Sequence, residues 1–320
     1  MAQQGGLDPA ANPGTGGLRR ARLYAIASSR MFTTVNRNDA VAAIKVGFEL
    51  TGKERGFLLD ARVDIVDGVA EMKQRLESRS VDILILDFID YLQLEGARLI
   101  VPDLVGNRND GAGPRYSYLL LVGASSTAGT IADLRGKNLN YFSRSESNTG
   151  LAWIEVTLGK LKLGRASSFF ATAKNTTKPQ ACVLPLFFGT VDACVVDEIN
   201  LELLKEMNPQ LGKLRVLARS TPVIDSVIAT PVPPQPYREE LLDAIRALHQ
   251  SPRGRQVLMV FKTGRVVRIS PGDIEAARAL WVEYRRVAGS LPPSTPSLAP
   301  FSGAGTPVTE IHENRAQKKD

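Results

Sequence analysis

Residues 138–164 read NLNYFSRSESNTGLAWIEVTLGKLKLG, and their order decides the architecture. Asn138 to Phe142 reads as a strand, which breaks into the polar run Ser143-Arg144-Ser145-Glu146-Ser147-Asn148-Thr149-Gly150. Leu151, Ile154, Leu158 and Leu161 then recur at helical spacing, and Gly164 is placed to cap the helix end. A strand that ends in hydroxyl residues directly before a helix is a natural anion site. The first N–H groups of a helix have no internal partner, and the macrodipole adds partial positive charge there. Ser145, Ser147 and Thr149 add O–H donors beside those amides, and Gly150 leaves room for close backbone approach. The plain alternative is that Ser147 or Asn148 is simply an N-cap.

Upstream, the chain alternates strand and helix. Arg22–Ala27 is a strand ending at Ser28-Ser29-Arg30, Asp39–Leu50 a helix, Ala61–Val66 a strand and Val69–Glu77 a helix. Val81–Leu86 is a continuous apolar run, the pattern of a buried parallel strand, with Asp87, Asp90 and Tyr91 at its end. This β-α-β-α-β order is the unit of an open α/β sheet, whose ligands bind at the carboxyl ends of the strands. Ser28, Ser29 and Asp87 therefore stand on the candidate side. Asp87 with Asp90 could form a carboxylate pair for acid–base chemistry; the plain alternative is a helix cap plus a solvated side chain.

Further strands are expected at Leu99–Val101, Tyr116–Gly123, Ser168–Ala171, Val191–Val196, Leu214–Ala218 and Val227–Thr230. Lys174–Pro179 reads as a polar loop, with helices at Gln180–Phe188, Ile199–Met207, Arg238–Gln250, Arg253–Val260 and Pro271–Ala288. Val191–Val196 delivers Asp197 and Glu198 at its end. The chain divides into a first lobe, 19–124 plus 223–288, and an inserted second lobe, 125–222, with disordered ends at 1–18 and 289–320. Two crossing strands make a hinge, and the cleft between lobes is the default ligand site.

Composition narrows the function. The chain has 320 residues, 43% hydrophobic and 23% charged, the balance of a globular protein. Its formal net charge of +7 is scattered, without a Lys/Arg block interleaved with aromatics, so nucleic acid is not an expected partner. Two histidines without metal-ligand spacing give no metal site, and no cofactor is expected. Cys182 and Cys194 read as two buried thiols rather than a bridge. Met1 to Gly17 lacks the apolar core of an export signal, so the protein either stays inside the cell or the given start omits that signal.

Several segments together carry a resemblance: VNRNDAVAAIKV from Val35, DILILDFIDYL from Asp82, DLRGKNLNYFSRSESNTG from Asp133, FFGTVDACVVDE from Phe187, and MNPQLGKLRVLARSTPVI from Met207. From about Arg22 to about Val287 the chain resembles the phosphate/phosphonate-binding substrate-binding proteins of ABC transporters, the PhnD-like family. The resemblance implies a two-lobe α/β fold of the type II periplasmic-binding class, with open mixed sheets and a ligand cleft. It implies that Ser147, Asn148 and Thr149 hold phosphonate oxygens, and that Asp197 or Glu198 together with Asp225 meets a ligand's amino group. Where the family has a histidine, this chain has Thr177-Lys178-Pro179, so Thr177 and Lys178 are the candidates there. Leu86-Asp87 replaces the family's frequent aromatic and glycine.

The expectation is a non-enzymatic solute-binding protein, a monomer that captures a small anionic ligand of the phosphate, phosphite or phosphonate class. It would act in the periplasm and hand its ligand to an ABC transporter permease. The alternatives are a ligand-sensing module, which suits a cytoplasmic location, and an enzyme in the same cleft.

Overall fold

The computed structural model describes residues 19–32, 35–78, 80–108 and 113–289. In chain order these form β1 (Arg19–Ser28), α1 (Arg37–Glu54), β2 (Phe57–Val66), α2 (Val69–Glu77), β3 (Ile83–Asp87), α3 (Phe88–Glu95), β4 (Ile100–Asn107) and β5 (Tyr118–Val122). There follow β6 (Asn138–Phe142), α4 (Thr149–Lys160), α5 (Ala166–Phe169), β7 (Thr172–Thr176), α6 (Pro179–Phe187), β8 (Ala193–Asp197), α7 (Glu198–Met207) and β9 (Arg215–Arg219). The chain ends its described part with β10 (Ser226–Pro231), α8 (Arg238–Ala247), α9 (Pro252–Val260), β11 (Arg265–Arg268) and α10 (Pro271–Ala288). The expected disordered ends lie outside the described residues, except Gly289, whose φ of 80° closes α10.

Two sheets result. The first has the order β11-β4-β10-β3-β1-β2 and the second β7-β6-β8-β5-β9. In the first, β1 lies parallel to β2 and β3, while β10 runs antiparallel to β3 and β4. In the second, β6 lies parallel to β7 and β8, while β5 runs antiparallel to β8 and β9. The second sheet is wholly inserted between β4 and β10 of the first. The two crossings touch each other: Tyr116 and Val223 exchange backbone hydrogen bonds of 3.1 and 3.0 Å.

Each sheet has a buried cluster of its own, around Phe48 and Leu242 in the first and around Phe142 and Val183 in the second, and a larger cluster is shared. The shared cluster runs from Leu84 and Phe88 through Tyr116 and Tyr118 to Trp153, Val195 and Trp281. Helix α10 supplies the link. It lies against α4 so closely that a β-carbon on Gly159 would fall 2.8 Å from both γ-methyls of Val287, while Arg278 pairs with Glu95 of α3 at 2.7 Å. The C-terminal helix thus bridges both lobes.

Several sequence readings are corrected. Ser168–Ala171 is not a strand: α5 and the residue after it place Phe169 and Phe170 in the core, and the strand is β7, which starts at Thr172 and runs into the beginning of the expected polar loop. As an edge strand with four of its five residues exposed, β7 needs no apolar pattern. The expected short strand at Leu99 extends to Asn107. Pro102 sits there opposite Ala229, where the register shifts, so the missing N–H is accommodated at an irregularity. Helix α4 ends at Lys160, the chain turns through Lys162 (φ 57°) and Gly164 (φ 91°), and Leu161 is 52% exposed, so Gly164 is not the cap. Cys182 of α6 and Cys194 of β8 are joined in a buried disulfide, their Cα atoms 5.9 Å apart, rather than being two thiols. Spacing along the chain could not reveal that a helix lays one cysteine over the other.

Candidate functional site

The carboxyl ends of β1 and β3 in one sheet face those of β6 and β8 in the other, and two polar groups form at the meeting line. The first group closes the lobes on each other. Asp87 ends β3 and accepts a hydrogen bond from Ile89 N at 2.9 Å, so it caps α3. The same carboxylate accepts from Ser147 Oγ across the cleft, and Glu146 N donates to Arg30 O at 3.1 Å. Asp90 is buried rather than solvated; its carboxylate accepts from Ser28 Oγ and from Arg30 Nε at 3.1 Å. Burial and the neighbouring Asp90 push the Asp87 carboxyl up to about 7.

Helix α4 begins here, and its N-terminus is uncapped. Asn148 occupies the cap position with φ 51°, but its side chain caps nothing and its amide donates to Glu146 O at 2.9 Å. Ser143 Oγ donates to Ser145 O, and Ser145, Ser147 and Thr149 are buried. Gly150 has a packing reason: a β-carbon would lie 2.8 Å from Tyr118 Cδ1 and 3.0 Å from Val195 Cγ1, both within its own lobe.

The second group is cationic. Arg144 leaves the end of β6 and pairs with Asp197 at 3.2 Å; Asp197 also accepts from Asn200 N and Nδ2. Burial alone would raise the Asp197 carboxyl, but the Arg144 guanidinium and the Asn200 bonds hold it below the usual range. Arg108 follows β4 and stands 4.0 Å from Asp225, which also accepts from Tyr116 Oη. Both guanidinium groups flank the Tyr116 ring, at 5.7 and 5.9 Å from its centroid. Lys262 follows α9 in a left-handed conformation, φ 49°. Partial burial, then the Arg144 and Arg108 charges, lower its ammonium below the ordinary lysine range. Among the described residues, Arg108, Arg144 and Lys262 thus gather beside Asp197 and Asp225.

Arg108, Arg144 and Lys262 line a cavity of about 160 Å³. Its remaining wall is mostly aliphatic and aromatic, from α1, α9, β3, β10 and β11 of the first lobe, with Phe142 of the second. None of the residues singled out from sequence lines it, although Arg144 adjoins Ser145 and Ser226 adjoins Asp225. Ser29 bonds to Asp67, Tyr91 donates to Glu95 away from the cleft, and Glu198 holds Ser117 N and Arg219. Thr177 and Lys178 are exposed ahead of α6, by the edge strand β7. The structure thus joins Ser28, Asp87 and Ser147 into the first group, and Asp197 and Asp225 into the second. Arg108 and Lys262 escaped the sequence reading because each stands beside a turn, where no periodicity marks a charged residue, and Tyr116 was read only as the start of a strand. The lone arginine in the serine run was the one visible signal.

This geometry, a two-lobe α/β protein with charged strand ends at a central cleft, agrees with what comparison finds. Residues 55–274 match the family described as ABC transporter, phosphonate, periplasmic substrate-binding protein. The chain belongs to this family. Comparison with curated protein sequences finds no match. Among solved structures, XAC2383 from Xanthomonas citri bound to chloride is similar at TM-score 0.60, with 15% identity over 84% of this chain and 99% of that one. A binding protein component of an ABC phosphonate transporter from Pseudomonas aeruginosa gives TM-score 0.55, 14% identity, 83% of this chain and 87% of its own. PhnD1 from Prochlorococcus marinus in complex with methylphosphonate gives 0.53, 14% identity, 84% of this chain and 98% of its own. The fold is that of the type II periplasmic binding proteins, and the family's role is solute binding for ABC transport. Among the described residues no helix is long and apolar enough to cross a membrane.

Proposed function

We propose that this family member captures an oxyanion of the phosphate, phosphite or phosphonate class at the interlobe cleft, without catalysis. It would act as a monomer in the periplasm and pass the solute to a permease. The observation that supports this most is the convergence of Arg108, Arg144 and Lys262 at a partly desolvated mouth, beside Asp197 and Asp225. In such surroundings a charge-assisted hydrogen bond to an oxyanion is stronger than in water. The uncapped start of α4 adds Thr149, Gly150 and Leu151 amides without intrahelical acceptors, beside Ser145, Ser147 and Asn148. Asp197, Glu198 and Asp225 would serve a ligand's amino group, and Thr177 and Lys178 the outer rim. Ser28 and Asp87 would support the floor from the first lobe. Fold neighbours that hold chloride, ATP and methylphosphonate are all anion binders, which agrees with this reading.

A thermal-shift series tests it. Phosphate, phosphite, methylphosphonate and sulfate are compared with neutral sugars and cationic amines. An anion at a hundredfold its dissociation constant should stabilise the folded state by about 2.7 kcal/mol. A midpoint raised by neutral or cationic solutes and by no anion would overturn the proposal.

A further inference from the structure

Two hydrogen bonds join the lobes ahead of α4. Ser147 Oγ of the second lobe donates to Asp87 of the first, and Glu146 N donates to Arg30 O at 3.1 Å. Asp87, Asp90, Arg30 and Ser147 are all buried, so the chain's own residues seal this junction from water. Its acids come from both sides. Asp87 ends β3 and Asp90 lies in the first turn of α3, whereas Glu146 lies between β6 and α4.

Asp90 is met within its own lobe, by Ser28 Oγ and by Arg30 Nε at 3.1 Å. The acids that face each other across the junction are met less fully. Among the described residues, Asp87 Oδ2, Glu146 Oε2 and the neighbouring Asn148 Oδ1 are buried without a hydrogen-bond partner. A carboxylate oxygen so placed loses its hydration and gains no donor, so burial penalises the ionised form. The charges within reach are Asp90 and Arg30 at Asp87, and Arg30, Arg37, Asp67 and Asp90 at Glu146. Burial is the largest influence on both acids and raises each carboxyl above its ordinary value, Asp87 to about 7.

We infer that Asp87 and Glu146 form a proton-operated latch between the lobes, which acid closes and alkali opens. Parting the lobes separates Ser147 from Asp87 and returns water to both carboxyls; closing them expels it. A group that holds its proton more tightly in the closed form draws that form up as pH falls, in the window between the ordinary carboxyl range and about 7. The Ser147 bond acts in the opposite sense, since it favours the ionised carboxylate, and burial outweighs it. The latch is built from the chain's own residues and does not depend on which solute the cleft takes.

Asn38, in the first turn of α1, and Asn175, near the end of β7, are exposed neutral residues on the two lobes. Electron double resonance between spin labels at Asn38→Cys and Asn175→Cys reads the distance between the lobes in the full chain with no solute added. Acidification from pH 8 to pH 5.5 should raise the closed-to-open ratio by about fivefold or more. Adding Asp87→Asn and Glu146→Gln, which keep the shapes and remove both charges, should hold that ratio within about twofold over the same range. If Asp87→Asn melts early, Glu146→Gln alone should reduce the response and raise the closed fraction at pH 8. A distance distribution that ignores pH, or that opens in acid, would overturn the latch. So would a full wild-type response in the neutralised variant. Each of these outcomes leaves the anion reading standing, because no solute enters the measurement.

Discussion

At the residue scale, Asp87 shows how far a sequence reading reaches. Its position after an apolar run placed it correctly at the end of a strand and ahead of a helix, where it caps α3. What could not be read was its partner across the cleft, Ser147, sixty residues away in the chain. Asp87 also carries a pH signature, which the Ser147 hydrogen bond opposes. Burial and Asp90 raise the folded carboxyl to about 7, above its ordinary value of 3.8. The folded state then holds a proton that the unfolded chain releases. This stabilisation is fully present below 3.8 and is lost as pH rises toward 7. Asp87→Asn keeps the shape and removes the charge. Its melting temperature should exceed that of the wild type at pH 8, and its slope between pH 4 and 7 should be flatter. Parallel melting curves for the two proteins over that range would show that Asp87 is an ordinary surface-like acid.

At the element scale, strongly patterned segments were legible and weakly patterned ones were not. The strands β1, β3, β6 and β8 and the helices α2, α7 and α10 carry clear apolar runs or helical spacing, and the structure has them within a few residues of expectation. β7 and β11 were missed because a short strand needs little apolar surface. The helix α4 was legible, but its neighbour was not. Its Gly159 is the contact point with α10. Gly159→Ala should overpack Val287 at a cost of about 1–3 kcal/mol, more than the ~1 kcal/mol that alanine gains in a helix. In a Val287→Ala background the same substitution should become neutral or stabilising. Denaturant melts of the four proteins test this; a Gly159→Ala chain as stable as wild type would mean that the helices do not meet so closely.

At the scale of the whole molecule, the strands of the second sheet all fall between β4 and β10 of the first. The cleft's chemistry was readable only in part. The serine run and the acids at strand ends named the neighbourhood, whereas the cations that line the cavity come from three turns far apart in sequence. Tertiary folding alone brings Arg108, Arg144 and Lys262 together. Arg144 comes with the second sheet and the other two cations with the first. An anion between them would draw the lobes together. The most direct measurement is a calorimetric titration of methylphosphonate into wild type and an Arg108→Gln, Lys262→Gln double variant, beside their melting curves. The account predicts saturable binding by wild type and a loss of at least tenfold in the double variant, corresponding to about 1.4 kcal/mol or more, with little change in melting temperature. Equal affinities in the two proteins would contradict it.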